Sequence, residues 1–232
     1  VGDDSLQGGA GADTLSGGDD RDTVNGGDGD DVIRADMDGR ADEYFGGLGR
    51  DLLSYAGAEA GVTVELDRGR AKGRGGKDEL DGIEDVEGGN GRDRLTGDDG
   101  DNLLSGGGGR DRLDGADGND TLVGGAGIDR MKGGEGTDLF VFGPGDAPGP
   151  RAKERVEDFV SGEDVVDLSA VDADAGTEGD QAFHLVEAFT GTAGELVFRR
   201  GALLGDTNGD AVADMAIQLR GVTALAGGDL IL

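Results

Sequence analysis

Residues 88–141 read GGNGRDRLT, GDDGDNLLS, GGGGRDRLD, GADGNDTLV, GGAGIDRMK, GGEGTDLFV: six units of nine residues with nothing inserted between them. Each unit has Gly first, Gly fourth, Asp (once Asn) sixth and a large apolar residue eighth. A strict period of nine fits neither a helix nor a simple strand, so each unit is one supersecondary element stacked on its neighbours. Positions one to six suit a tight turn, because Gly reaches positive φ without strain. The remaining triplet is a short strand with one inward side chain. Those inward residues are Leu95, Leu104, Leu113, Leu122, Met131 and Phe140. One unit makes half a turn of a flattened solenoid, so residues eighteen apart stack directly.

That stacking defines the chemistry of the edges. Asp93, Asp111 and Asp129 line one edge, and Asn102, Asp120 and Asp138 line the other. Carboxylates stacked at strand spacing, about 4.8 Å, repel strongly. Turn carbonyls join them: Gly89, Gly91, Gly100, Gly107, Gly109, Gly118, Gly125, Gly127, Gly134 and Gly136. Hard oxygens in this arrangement suit several Ca²⁺ ions, each taking 6–8 oxygen ligands at about 2.3–2.6 Å. The core is one thin row of aliphatics per face, and glycine raises the entropy cost of ordering, so metal binding here is folding free energy. A Gly/Asp-rich composition alone fits a disordered linker. The period with a buried-type residue at position eight does not, although without calcium the two descriptions merge.

The 232 residues carry a net charge of −30 and include 51 Gly, no Cys and no Trp. That balance argues against nucleic acid and anionic membranes as partners. The acids occupy repeat positions, which favours cations. With no Cys there are no disulfides, as fits a secreted protein that uses calcium instead. No run approaches 18 apolar residues, so no membrane insertion is expected. No N-terminal signal peptide is evident. Val1 opens in mid-repeat, as a piece of a longer protein does.

Four segments follow in order. Residues 1–54 form a first repeat block with sixth-position Asp4, Asp13, Asp22, Asp31 and Asp51 and turn glycines Gly9, Gly11, Gly18, Gly27 and Gly29. Asp20 replaces the expected fourth-position Gly, and residues 35–45 keep Asp42 and Tyr44 in phase with two extra residues, which predicts a bulged turn. Residues 55–87 are a non-repeat insert: Val62, Val64 and Leu66 alternate as a strand, and Arg68, Arg70, Lys72, Arg74 and Lys77 gather among glycines. That basic cluster reads as a solvated loop balancing acidic neighbours, or else as a small anion-binding loop. Leu80, Ile83 and Val86 at intervals of three predict irregular turns. Residues 88–142 are the second repeat block. GPGDAPGP (143–150) then breaks the chain. Residues 143–232 read as a β-rich cap over the solenoid's exposed edge. Its strands are expected around 155–159, 164–169, 194–198 and 215–219, with a short strand or helix at 183–189. A second metal candidate lies in the cap, where Asp206, Asn208, Asp210 and Asp214 alternate as in the opening of an EF-hand loop, without its closing glutamate. An acidic turn between strands is the other reading.

The nonapeptide is the repeat of RTX calcium-binding proteins. DLFVF (138–142), RVEDFVSGEDVVDLS (155–169), FTGTAGELVF (189–198), GDTNGDAVADMAIQL (205–219) and GDLIL (228–232) together resemble the C-terminal domain of serralysin-type secreted metalloproteases. The repeats are also similar to modules of secreted alginate epimerases. This resemblance implies an all-β fold: a parallel β-roll with calcium held between turns and a β-rich C-terminal region. It also implies an extracellular destination through a type I ABC secretion system reading an uncleaved C-terminal signal, to which Asp229 before Leu230-Ile231-Leu232 corresponds.

The catalytic half of that family needs H-E-x-x-H, and this chain has one histidine, His184, so it cannot supply that zinc site. His184, beside Phe183 and Leu185, reads as a partly buried structural residue. There is no G-x-S-x-G and no thiol nucleophile. The chain therefore reads as a non-catalytic calcium module that folds outside the cell and carries an export signal for a larger protein. A glycan-binding module predicts a surface stripe of basic or aromatic residues, and an S-layer or adhesin segment predicts lateral association.

Overall fold

The computed structural model describes residues 2–74, 76–146, 149, 154–177 and 181–232. Of the proline-rich break, residues 147, 148 and 150 lie outside the described set, as does Gly75 in the basic loop. Among the described residues there is no α-helix; strands and one 3₁₀ turn, Leu66–Arg68, make up the regular structure.

The chain is a parallel β-roll built of two facing sheets. In the first sheet the order is Ser5–Ala10, Thr23–Asp28, Glu43–Leu48, Lys77–Asp81, Arg70–Lys72, Thr63–Glu65, Arg94–Thr96, Arg112–Asp117, Arg130–Glu135, Glu154–Val156, Met215–Leu219, Ala202–Asp206, Glu195–Arg199 and His184–Val186. The second runs Thr14–Leu15, Val32–Arg34, Leu52–Ser54, Asp85–Glu87, Leu103–Ser105, Thr121–Val123, Leu139–Val141, Val165–Asp167 and Leu230–Ile231. Successive units alternate between the sheets, and the period of eighteen is the register: Leu95 opposes Leu113, which opposes Met131, while Leu104 opposes Leu122, which opposes Phe140. These eighth-position side chains are buried and form a single file between the sheets. Fully burying one such side chain contributes about 1.5–3 kcal/mol, but the file is only one residue wide on each sheet.

The extra residues at 35–45 are absorbed in the turn. Val24 pairs with Tyr44 and Ile33 with Leu53, twenty residues on instead of eighteen, and both files stay continuous.

The insert at 55–87 differs from its sequence reading. Residues 79–87 are not irregular. Leu80 lies in a strand opposite Tyr44, and Val86 lies in a strand of the other sheet between Leu53 and Leu104. Six residues therefore cross between sheets where a repeat uses nine, with Ile83 buried at the corner. Between them, Thr63–Glu65, Arg70–Lys72 and Lys77–Asp81 form an antiparallel meander spliced into the otherwise parallel first sheet. Val64 then pairs with Leu95 and restores the roll.

The cap continues both sheets. Val156 stacks on Met131 and Val166 on Phe140, so the two files run into the cap core of Leu196, Leu203, Ile217 and Leu219. Antiparallel strands Glu195–Arg199, Ala202–Asp206 and Met215–Leu219 extend the first sheet to its edge strand His184–Val186, and Leu230–Ile231 closes the second beside Val166 and Asp167. The strand Ala202–Asp206 has no counterpart among the expected strands. Residues 184–186 are strand, not helix, and His184 is exposed there on the edge, contrary to its reading as partly buried.

Candidate metal centre

The two edges of the roll each carry a file of carboxylates. In the second block the backbone N–H of Asp93 donates to Asp111 Oδ1 at 2.7 Å, and that of Asp111 to Asp129 Oδ1 at 2.7 Å. On the opposite edge Asn102 N–H donates to Asp120 Oδ1 at 2.8 Å and Asp120 N–H to Asp138 Oδ1 at 3.0 Å. The first block repeats this: Asp4 to Asp22, Asp13 to Asp31, Asp22 to Asp42 and Asp31 to Asp51. Asp4 itself is exposed at the open end of the roll.

The second oxygen of these carboxylates is the distinctive feature. Oδ2 of Asp13, Asp22, Asp31, Asp51, Asp111, Asp120, Asp129 and Asp138 is buried and has no hydrogen-bond partner. Each lies against the first-position glycine of its own unit. A Cβ on Gly106 would fall 2.8 Å from Asp111 Oδ2, and one on Gly124 2.9 Å from Asp129 Oδ2. Position one is glycine because the carboxylate fills the space a side chain would need. An unsatisfied buried acceptor costs about 1–3 kcal/mol, and more when charged.

Burial, partly offset by the backbone N–H each accepts and reinforced by neighbouring carboxylates, pushes Asp111 up to about 7 and Asp120 up to about 6. For Asp129 the same burial, with Asp146 nearby, gives about 6.

The turn backbone adds further oxygens. Carbonyls of Gly9, Gly11, Gly27 and Gly29 in the first block face the glycines one turn on, and so do those of Gly89, Gly91, Gly100, Gly107, Gly109 and Gly118 in the second. Gly107 O also accepts the Ala126 N–H at 2.8 Å, leaving its second lone pair. Gly125, Gly127, Gly134 and Gly136 belong to the last turns of the array, and Gly18 meets nothing within 4 Å. Second and fourth positions take φ from +82° to +151° in the turns of Gly107, Gly109, Gly125 and Gly127. Asp20 (φ +86°) and Ala116 (φ +89°) hold that left-handed geometry without being glycine.

Several residues outside the repeat phase occupy the same slots. Asp78 accepts from Asp42 N–H at 3.2 Å and Glu84 from Asp51 N–H at 2.8 Å. At the top of the array Glu154 accepts from Asp129 N–H at 2.7 Å and Asp164 from Asp138 N–H at 3.1 Å. Glu154 keeps a buried, unpartnered Oε1, and burial beside Asp129 raises it to about 8. Glu84, Glu154 and Asp164 follow no nine-residue spacing, being 33, 25 and 26 residues from their partners, so the period could not find them; Asp78 lies 36 residues from Asp42, but across an insert that does not repeat. A separate cluster sits in the bulged turn, where carboxylate oxygens of Asp36, Asp38 and Asp42 lie within 4.8 Å of one another.

The cap loop behaves differently. Asp206 accepts from Gly209 N–H at 2.7 Å and Ala211 N–H at 2.8 Å, and Asp214 from Thr207 N–H at 2.8 Å and Asn208 Nδ2 at 3.1 Å. Asp210 accepts from Val212 N–H at 2.8 Å. The four residues thus share one loop between the strands Ala202–Asp206 and Met215–Leu219.

Residues 7–232 match the family described as peptidase M10 serralysin C terminal. The chain belongs to that family. Members of the serralysin C-terminal family are non-catalytic domains, in keeping with a site built only of carboxylates and carbonyls. Among solved structures, a subunit of the mannuronan C5-epimerase from Azotobacter vinelandii is similar at 28% identity and TM-score 0.42, over 60% of this chain and 77% of that one. The extracellular lipase LipA from Serratia marcescens is similar at 20% identity and TM-score 0.43, over 99% of this chain; the match spans 38% of the lipase. A search of curated protein sequences gives no match.

The donor set fits a hard cation. It offers only oxygens, with buried carboxylate atoms that nothing else in the described structure satisfies and carbonyls facing the same inter-turn space. It offers neither thiolate nor imidazole, the ligands that softer metals favour.

Proposed function

We propose that this chain is a calcium-triggered folding module and that it forms the C-terminal, non-catalytic part of a larger exported protein. The observation that carries this reading is the set of buried Asp Oδ2 atoms without partners in both repeat blocks. Calcium supplies the charge that lets those oxygens be buried. Asp13, Asp22, Asp31 and Asp51 would hold it in residues 1–54, and Asp93, Asn102, Asp111, Asp120, Asp129 and Asp138 in residues 88–142, with the facing turn carbonyls. Residues 55–87 splice the two blocks, and residues 143–232 cap the array.

Linkage makes this a switch. One site at ten times its Kd contributes only about 1.4 kcal/mol, while several sites together exceed the roughly 5–15 kcal/mol typical of a domain. Extracellular calcium modules bind at about 10⁻⁴–10⁻³ M, so the chain is unfolded at cytosolic calcium and folds outside the cell. Its last residues, GDLIL, act as an uncleaved signal for a type I secretion system and are accessible while the chain is unfolded.

The test is far-UV circular dichroism during a calcium titration from EGTA to millimolar, with magnesium as the control. A cooperative coil-to-β transition driven by calcium and not magnesium is expected. A chain already fully folded in EGTA would overturn the proposal.

A further inference from the structure

Along the two edges of the roll, the buried carboxylates that keep an oxygen without a partner fall within residues 13–51 and 111–154, with none between among the described residues. Asp42, Asp78, Asp85, Asp93 and Asn102 lie in that interval and are buried just as deeply, none more than 8% exposed. The protein itself satisfies each of them. On the first-sheet edge Asp42 Oδ2 accepts the Tyr44 hydroxyl at 3.3 Å, and Asp78 Oδ2 accepts the Tyr55 hydroxyl at 3.4 Å. Asp93 accepts the Val62 N–H at Oδ1 and the Gly89 N–H at Oδ2, both at 2.8 Å. On the other edge Arg50 holds Asp85 with both nitrogens, Nε to Oδ2 at 2.8 Å and Nη2 to Oδ1 at 2.7 Å. Asn102 Nδ2 donates to Glu84 O at 2.8 Å, and its Oδ1 accepts the Asp98 N–H at 2.9 Å.

These donors are the departures from the repeat in this part of the chain. Tyr44 is the one eighth-position residue with a hydroxyl. Asn102 is the one sixth position of residues 88–141 that is not Asp, and its amide does what a carboxylate cannot, donating to the carbonyl one turn below. Beneath Asp93 the corresponding place belongs to Val62, a hydrocarbon where a repeat has a ligand. Arg50 carries a permanent positive charge from its own turn to that of Asp85, and this charge repels a cation between them. The apolar files are continuous through the splice, by Leu80 and Val64 in the first sheet and by Val86 in the second. The sites that fit a cation are not.

We propose that the splice is an ion-free joint that divides the roll into two calcium arrays, and that these load independently. The first array ends at Asp42 and Asp51, and the second begins at Asp93 and Asn102. In a stacked structure each turn interacts with its immediate neighbours only. Within an array, ordering of one turn by an ion therefore passes to the next through the carboxylate they share. Across the joint no ion carries that coupling, because the turns there are tied by protein donors. The inference rests on the calcium-folding reading and adds that the switch has two separate halves.

Hydrogen exchange read by mass spectrometry follows the two blocks separately in the full chain during a calcium titration, in peptides from residues 8–34 and from residues 106–142. The D111N/D129N variant removes two charges and keeps both acceptors. It is expected to raise the calcium midpoint of the second block several-fold and to leave that of the first within about twofold, the limit for sites that share no partner. D31N/D51N is expected to do the reverse. Each variant is read from the block it does not touch, so a mutated block that fails to fold at any calcium concentration leaves the test intact. Equal shifts in both blocks would overturn the joint and leave calcium-dependent folding standing. Protection of both blocks in EGTA equal to that in calcium would overturn the folding reading, and the joint with it.

Discussion

The backbone N–H of Asp111 donates to Oδ1 of Asp129, eighteen residues on, at 2.7 Å. A turn thus holds the carboxylate of the next by one oxygen, and at Asp22, Asp31, Asp51, Asp111, Asp120, Asp129 and Asp138 the other is buried and free. The hydrogen bond fixes the orientation of the carboxylate, and the free oxygen is the atom that the proposed ion would satisfy.

Replacing Asp111 and Asp129 together by Ala removes two proposed ligands and strips the N–H groups of Asp93 and Asp111 of their acceptors, at about 1–3 kcal/mol each. The calcium midpoint of the circular dichroism transition should rise several-fold and its steepness fall. An unchanged midpoint would show that the stacked carboxylates are not ligands.

Acid should partly replace calcium. Asp111 is raised from 3.8 to about 7 and Glu154 from 4.5 to about 8, chiefly by burial. In the metal-free chain these groups contribute stability that is fully present below their unfolded values and is lost as pH rises through their folded ones. In EGTA the chain should therefore show more β structure by circular dichroism at pH 5 than at pH 8. With saturating calcium the sign reverses, because the ligands must be deprotonated. The same pH dependence in both conditions would contradict this account.

Two turn positions should respond in opposite directions. Gly106→Ala puts a Cβ 2.6 Å from Gly124 O and 2.8 Å from Asp111 Oδ2, and should cost about 1–3 kcal/mol. Ala116→Gly relieves φ +89°. It should stabilise the calcium-loaded chain by about 0.5–1 kcal/mol, the left-handed penalty less the entropy cost of Gly. Chemical denaturation of both variants at fixed calcium measures the pair.

The C-terminus has a structural role beside the proposed signal. Asp229 accepts from Ser161 Oγ at 2.7 Å and Gly162 N–H at 2.9 Å, and Leu230–Ile231 is the last strand of the second sheet. Removing residues 229–232 should lower the melting temperature of the cap and reduce export, while the calcium transition of the repeats persists. Normal secretion of the truncated chain would remove the signal from this segment.

The period made the roll legible. Stacking at eighteen residues gives Leu95 over Leu113 over Met131, and the in-phase Asp42 and Tyr44 locate the bulge. The meander at 63–81 was not legible, because whether a hairpin splices into a parallel sheet depends on which strand edges are open, and no local pattern records that. Leu80 and Val86, six apart, matched neither a strand nor the repeat, yet each fills its place in a different sheet. Asp78, Glu84, Glu154 and Asp164 were hidden for the same reason: their slots are defined by the turn beneath, and the chain reaches them through segments of unequal length. Register across the splice was equally hidden: Lys72 in the insert and Arg94 in the second repeat block flank Thr63 on neighbouring strands.

Anything seated between turns needs a turn on either side, so an array always requires one more rail than it has rungs. Here the extra rail is Glu154 above Asp129 and Asp164 above Asp138, reached across 25 and 26 residues. Cutting the chain where the glycines stop would leave the topmost rungs half built on both edges. As a physical object the repeat array does not end at residue 142 but at Asp164, and its final turn is written in a part of the chain that no longer repeats.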